Sequence, residues 1–424
     1  MLRALRKVLL SPSLQGAMIF AMSGGAFALG NLLLAHALTV SAYGHFALMV
    51  AILIITSNMG PLGLDQLLLR SQRRLGGRYL APIILSSALI ALAGAWIASR
   101  LYGVVPAAAI ATACASLMFA LLRTAACALR RHGVAIIAIF CDTAADWGLL
   151  CVGIAALAGW IVDEEQAALA LAGFGGIAAI AAYSVTLRRE RTMASDTAPL
   201  HFAEAFPLLG IIAAGAVLVQ AERLLIPPLL SLEDLATFAV LTSVAIAPFR
   251  VLSAGIVASL TPQLRKIHDI DGQRKLLMHE IRIFAALAAI STIIVCVIAP
   301  PFADIFTQGR YVVDIGLCLA ACVNGTVKIL QAVPRAVATG IGTAGDLHRV
   351  NLSMWLCVLG TVIGALACAH WGLSALVLGA ALGSGIATLP SIAMVRKKLA
   401  RPGTPAAGGD ISAAPGLPPS AAPR

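Results

Sequence analysis

Residues 80–99 read LAPIILSSALIALAGAWIAS, twenty positions without a charge, with Arg78 before them and Arg100 after. An α-helix rises 1.5 Å per residue, so about 20 apolar residues cross the roughly 30 Å hydrocarbon layer of a bilayer. A membrane strand would need only about 9–11 residues of alternating polarity, a pattern this stretch lacks. Inside lipid the backbone has no water to bond, and a helix satisfies its amides within one segment.

Runs of the same kind recur along the 424-residue chain. They fall at 14–38, 43–69, 80–99, 104–129, 134–161 and 166–187, then at 205–230, 235–260, 283–299, 315–338, 350–370 and 372–395. Composition agrees: 60% of residues are hydrophobic, 12% are charged and the mean hydropathy is +0.94. A soluble domain is about 45–50% apolar and about 25% charged, and this chain has too little polar side chain to cover a surface in water. The sequence therefore predicts an all-α polytopic membrane protein of about twelve transmembrane helices.

The charges alternate along that framework. Basic clusters stand at Arg3, Arg6 and Lys7, at Arg70, Arg73, Arg74 and Arg78, and at Arg130 and Arg131. They continue at Arg188, Arg189 and Arg191, at Arg265, Lys266, Arg274 and Lys275, and at Arg396, Lys397, Lys398 and Arg401. The intervening connections carry Asp163, Glu164, Glu165, Glu233 and Asp234 instead. Cytoplasmic loops collect Lys and Arg, so both termini are expected in the cytoplasm. This orientation accounts for the net charge of +11, and no nucleic-acid motif accompanies it. The first apolar run exceeds a signal-peptide core of about 7–15 residues and is read as a retained helix.

The polar stretch 188–204 divides the chain. The expected layout is a cytoplasmic N-terminus at 1–13, a six-helix lobe at 14–187, a linker at 188–204, a second six-helix lobe at 205–395 and a cytoplasmic tail at 396–424. From Pro402 the tail is mostly Pro, Ala, Gly and Ser, a composition that buries no core and predicts disorder. A shift of 192 residues brings Phe46-Ala47-Leu48 onto Phe238-Ala239-Val240 and Arg73 onto Arg265. Six helices per lobe is an even number, so the lobes would be parallel repeats enclosing a central cavity.

Charges inside the apolar runs carry the functional reading, since one at mid-bilayer costs about 2.5–3.5 kcal/mol on insertion scales. Asp142 and Asp146 are spaced one turn apart, on one face of the expected fifth helix. Arg250 falls mid-way along the eighth, and Lys328 mid-way along the tenth, one turn from Asn324. Glu222-Arg223 stand near the end of the seventh and Arg123 toward the end of the fourth. In a structural reading, Arg250 and Lys328 neutralise Asp142 and Asp146 and tie the lobes together. In a functional reading, Arg250, Lys328, Asn324, Glu222, Arg223 and Arg123 line a cavity for a phosphate-bearing substrate. Arg would offer a planar fork to phosphate oxygens and Lys a point charge. Asp142 and Asp146 could then bind a coupling proton or sodium ion. The glycines at Gly24-Gly25 and Gly360 to Gly364 are read as helix-packing positions.

A family resemblance rests on a spread of residues. Leu34-Ala35-His36-Ala37-Leu38 leads to Tyr43-Gly44-His45-Phe46-Ala47-Leu48, followed by Gly63-Leu64-Asp65 and Arg70. In the second half, Gln220-Ala221-Glu222-Arg223-Leu224-Leu225 leads to Phe238-Ala239-Val240 and Pro262 before a basic loop. This pattern resembles the polysaccharide (O-antigen or exopolysaccharide) flippases, a family of the multidrug, oligosaccharidyl-lipid and polysaccharide exporter superfamily. Family members often have Asp-Arg where this chain has Glu222-Arg223, and an Arg near His36. The resemblance implies a flippase that moves a lipid-linked oligosaccharide across the bacterial inner membrane by alternating access, for surface polysaccharide synthesis. Glycosyltransferases or a polysaccharide polymerase would be its partners, and no cofactor is expected.

Enzyme signatures are missing: there is no phosphate-cradling glycine loop with Lys, no zinc helix motif and no nucleophile elbow. The alternative is a multidrug or small-molecule secondary antiporter. A cation exporter favours an acidic, aromatic cavity, whereas aromatics make up only 5% here and two mid-helix positions are Arg250 and Lys328.

Overall fold

The computed structural model describes residues 12–70, 75–190, 202–267 and 269–400, and for some residues inside the helices, Arg250 among them, it describes the backbone alone. Arg3, Arg6, Lys7, Arg73, Arg74, Arg191 and Arg401, most of the expected linker and the tail beyond 400 lie outside the described residues.

The elements are helical throughout the described residues: α1 (Pro12–Ala37), α2 (Val40–Met59), α3 (Leu64–Arg70), α4 (Gly77–Tyr102), α5 (Pro106–Arg131), α6 (Ala135–Asp142), α7 (Ala144–Leu157) and α8 (Glu164–Glu190). The second half comprises α9 (Phe202–Leu229), α10 (Leu232–Lys266), α11 (Ile270–Thr307), α12 (Ile315–Ile341), α13 (Ala344–Cys368) and α14 (Leu373–Ala400). Ten of these are long and apolar enough to cross a membrane, or eleven if the bent α6–α7 pair is one span. The 35-residue α10 coincides with the remaining expected crossing, at 235–260.

The helix ends follow local chemistry. Thr39, Ser231, Asp269 and Asp314 each accept a bond from an amide in the first turn of α2, α10, α11 and α12, satisfying donors that a helix leaves open. Thr343 and Asp346 form a reciprocal capping box on α13. Gly103, at φ 69°, ends α4, and Pro106 opens α5.

Two expected helices are interrupted. The fifth breaks at Thr143, where α6 and α7 meet at 56°. Asp142 and Asp146 therefore do not lie on one face of a continuous helix; they stand on either side of the bend. The second stops at Met59, and a tight turn with Leu62 at φ 52° and Gly63 at φ 77° restarts the chain as α3.

Packing is dense within each half. In the first, α1 lies on α7, and α5 lies on α4 and α8; in the second, α13 lies on α14, and α10 and α14 lie on α12. Small residues set the closest approaches: a Cβ on Gly153 would come within 2.7 Å of the Gly30 carbonyl. Gly360 and Gly383, and Gly364 and Gly379, meet backbone to backbone in the same way. The outward faces carry large apolar side chains, such as Leu85, Leu89 and Trp96 on α4 and Ile293 and Val297 on α11. In water such faces would be an aggregation liability; in a multi-pass membrane protein they meet lipid.

The two halves meet along α1, α2, α9 and α10. At the acidic end of the helices, His36 Nδ1 lies 2.8 Å from the Phe306 carbonyl, and Arg310 donates to the carbonyls of His36 and Leu38. Buried Tyr43 stacks edge-on against Tyr311, and the Tyr102 hydroxyl donates to the Leu224 carbonyl. Toward the basic end, the Gly63 turn abuts α9 so tightly that a Cβ there would lie 2.5 Å from the Ala205 carbonyl.

Candidate functional site

Three features bring the intramembrane polar residues together. The first is a cavity of about 190 Å³ inside the first half, reached by Asn58 of α2, Arg123 of α5, Asp142 of α6 and Asp146 of α7. Both aspartates line it, one on each side of the bend at Thr143. Arg123 spans the α2–α3 corner: its Nη1 donates to Asn58 Oδ1 at 2.7 Å and its Nε to Asp65 Oδ2 at 3.2 Å. Asp65 is fully buried and also receives Gln66 Nε2 at 3.1 Å. Asp142 is bridged by Arg130 from the end of α5. Beyond it, Glu190 gathers Arg131, His132 and the Leu75 amide, fastening the basic end of α8.

The second feature lies in the other half. Glu222 of α9 is buried, accepting from Asn324 Nδ2 at 2.8 Å and from Lys328 Nζ at 3.1 and 3.3 Å. Three expected site residues thus form one cluster between α9 and α12. Among the described residues Lys328 pairs with Glu222 and not, as the structural reading had it, with Asp142 or Asp146; Asp142 is met by Arg130 of its own half. Glu222 faces α12 directly, while Arg130 reaches Asp142 from a neighbouring helix. Below Lys328 on the same face of α12 stand Gln331 and Arg335. Arg335 is partly buried, with Nη1 3.9 Å from where a Gly215 Cβ would stand, and it forms no ion pair among the described residues. Hydropathy does not single it out, because it falls near the end of its apolar run.

The third feature is the seam. A groove of about 600 Å³ runs between α1, α10 and α11, lined by Gly24, Gly25, Ala28, Ser243, Leu252 and Ser291 among others, and almost wholly apolar. Gly24 and Gly25 have no heavy atom within 4 Å of an added Cβ, so they do not pack against a helix, as expected from sequence; they leave the groove open. Arg223 sits behind its wall. It donates to Thr242 Oγ1 at 2.9 Å, next to the groove residue Ser243, and lies 5.8 Å from the ring centre of Phe27, next to Ala28. Arg250 belongs to α10 by its backbone, and its side chain lies outside the described residues.

Two helical halves joined along a seam are also the fold of solved flippase and multidrug transporter structures. The fold matches lipid II flippase MurJ in an inward closed conformation with TM-score 0.66 at 10% identity, over 90% of this chain and 87% of that one. It matches a mutant of a Vibrio cholerae MATE transporter with TM-score 0.59 at 14% identity, over 91% and 94% of the two chains. It also matches an outward-facing multidrug resistance MATE family transporter of the MOP superfamily, with TM-score 0.60 at 11% identity over 91% and 94%. At these identities the likeness is one of fold. No protein-family model and no curated protein matches the chain.

Proposed function

We propose that this protein is an alternating-access transporter that flips a phosphate-bearing, lipid-linked oligosaccharide across the bacterial inner membrane, for surface polysaccharide synthesis. The observation that carries the reading is the pairing of an open apolar groove at the seam with a buried guanidinium one side chain behind its wall. An amphiphile with a long hydrocarbon tail and an anionic head fits that pairing: the tail lies against Gly24, Gly25 and Leu252, and the head is drawn toward Arg223. A hydrated head could not cross lipid unaided, whereas a lobe seam offers polar partners such as Thr242 and Ser243 along the way.

The contacts between Arg310, His36, Tyr43 and Tyr311 hold the halves together at the acidic end, so the reading needs them to part during the cycle. Asp142 and Asp146 remain the candidates for a coupling proton or sodium ion, because both line the polar cavity inside the first half. The basic end faces the cytoplasm in this proposal, with both termini there.

The test is reconstitution in vesicles with a short-chain fluorescent polyprenyl diphosphate disaccharide as substrate. Wild type should move it to the opposite leaflet, Arg223→Gln should slow it at least tenfold, and the Arg250→Gln Lys328→Gln double variant should abolish it. Unchanged rates in both variants would reject the assigned roles. Transport of a lipophilic cationic dye with no transport of the diphosphate would replace the reading with the multidrug antiporter.

A further inference from the structure

A second groove, of about 620 Å³, lies at the basic end of the second half. Its walls are Leu277, Met278 and Ile281 of α11, Leu330 and Val333 of α12, and Ile392 and Val395 of α14. Its rim carries two arginines, Arg274 from the first turns of α11 and Arg396 from the last turn of α14. The volume falls within the roughly 300–1,000 Å³ of built small-molecule sites. From Arg274 to Ile281 the wall runs seven helical residues, about 10 Å at 1.5 Å per residue, along α11 toward its expected crossing at 283–299.

Position and charge together specify the occupant. Met278 and Leu330 are 48% and 44% exposed, so the lip of the groove is continuous with the lipid-facing surface and admits a chain sideways from the bilayer. Both arginines are exposed, and neither forms an ion pair among the described residues. Close by, Lys398 is held by Asp346 at 2.6 Å, and of the basic side chains at this end it is Arg274 and Arg396 that line the groove itself. Two guanidinium groups at the rim favour a net negative head over a zwitterionic one.

We propose that this groove is a specific site for an anionic phospholipid of the leaflet at the basic end. One acyl chain occupies the space between α11, α12 and α14, and the phosphodiester is clamped by Arg274 and Arg396. Arginine forks match phosphate oxygens in pairs, and basic recesses between membrane helices favour acidic lipid heads. The bound lipid would brace α11 against α14, two helices whose own contact is slight. This site is separate from the seam groove and does not depend on the transport reading.

The experiment uses the full chain purified in mild detergent, with mass spectrometry of intact lipid complexes. Short-chain phosphatidylglycerol, short-chain phosphatidylcholine and inorganic phosphate are titrated separately. Phosphatidylglycerol should bind saturably and at least fivefold more tightly than phosphatidylcholine, with inorganic phosphate giving neither binding nor thermal protection. Arg274→Gln Arg396→Gln should erase the preference between the two lipids. Leu330→Trp, which narrows the groove without touching charge, should weaken both lipids. Equal binding of the two lipids to wild type would overturn the proposal, as would full retention of phosphatidylglycerol by the double arginine variant. Protection by inorganic phosphate alone would replace the lipid with a free anion and overturn it as well.

Discussion

Glu222 shows what a single side chain decides. Its carboxylate is buried, and Lys328 and Asn324 are its partners across the α9–α12 gap. Removing one member of a buried pair leaves the other charge stranded, at a cost of about 3–5 kcal/mol when fully buried. The Lys328 side chain is 18% exposed, so Lys328→Met should destabilise the protein by about 3 kcal/mol, toward the lower end of that range. Adding Glu222→Gln should recover part of the loss, because the stranded charge is gone; a double-mutant cycle by thermal unfolding in detergent checks this. Gly63 is a second decisive position. An alanine there would place a Cβ 2.5 Å from the Ala205 carbonyl and would strain a φ of 77°, so Gly63→Ala should cut the folded yield in the membrane sharply, measured by size-exclusion of the extracted protein. The sequence located Glu222, Asn324 and Lys328 as charges and amides at membrane depth. It could not pair them, because partners 102 and 106 residues apart leave no local pattern.

At the scale of elements, the break at Thr143 matters most. A continuous helix would put Asp142 and Asp146 one above the other, yet the 56° bend instead turns two short segments around the polar cavity. There is no proline or glycine between Ala135 and Trp147; the break falls at Thr143, whose hydroxyl donates to the Ile139 carbonyl one turn back, and both segments pack against α1 and α5. The acidic-end contact is likewise an element-level device, built from the end of α1, the start of α2 and the loop after α11. Arg310→Ala removes the two bonds to the His36 and Leu38 carbonyls. Hydrogen exchange of the amides around Leu38 to Tyr43 should then accelerate about tenfold, equivalent to roughly 1.4 kcal/mol, while those of α5 stay unchanged. Equal rates in wild type and variant would show that Arg310 does not hold the halves together.

For the whole molecule, the expectation concerns topology. The twelve expected crossings would put the basic clusters on one side, so reporter fusions after Lys398 and within residues 191–201 should report the same compartment, and a fusion at Asp163 the opposite one. The hydrophobic runs and the alternation of charge determined by themselves that the chain is a helical membrane protein, along with the approximate places of its crossings. Those are properties of segments about 20 residues long facing a solvent without water, and hydropathy measures them directly. Only the tertiary structure decided that Gly24 and Gly25 open a groove, where Gly360 and Gly364 pack on a helix, and that Lys328 serves Glu222 instead of the aspartates. Lipid is as apolar as a leucine side chain, so hydropathy cannot say which helix faces which; that choice rests on backbone close approach and on pairing of buried charges, both set by residues distant in the chain.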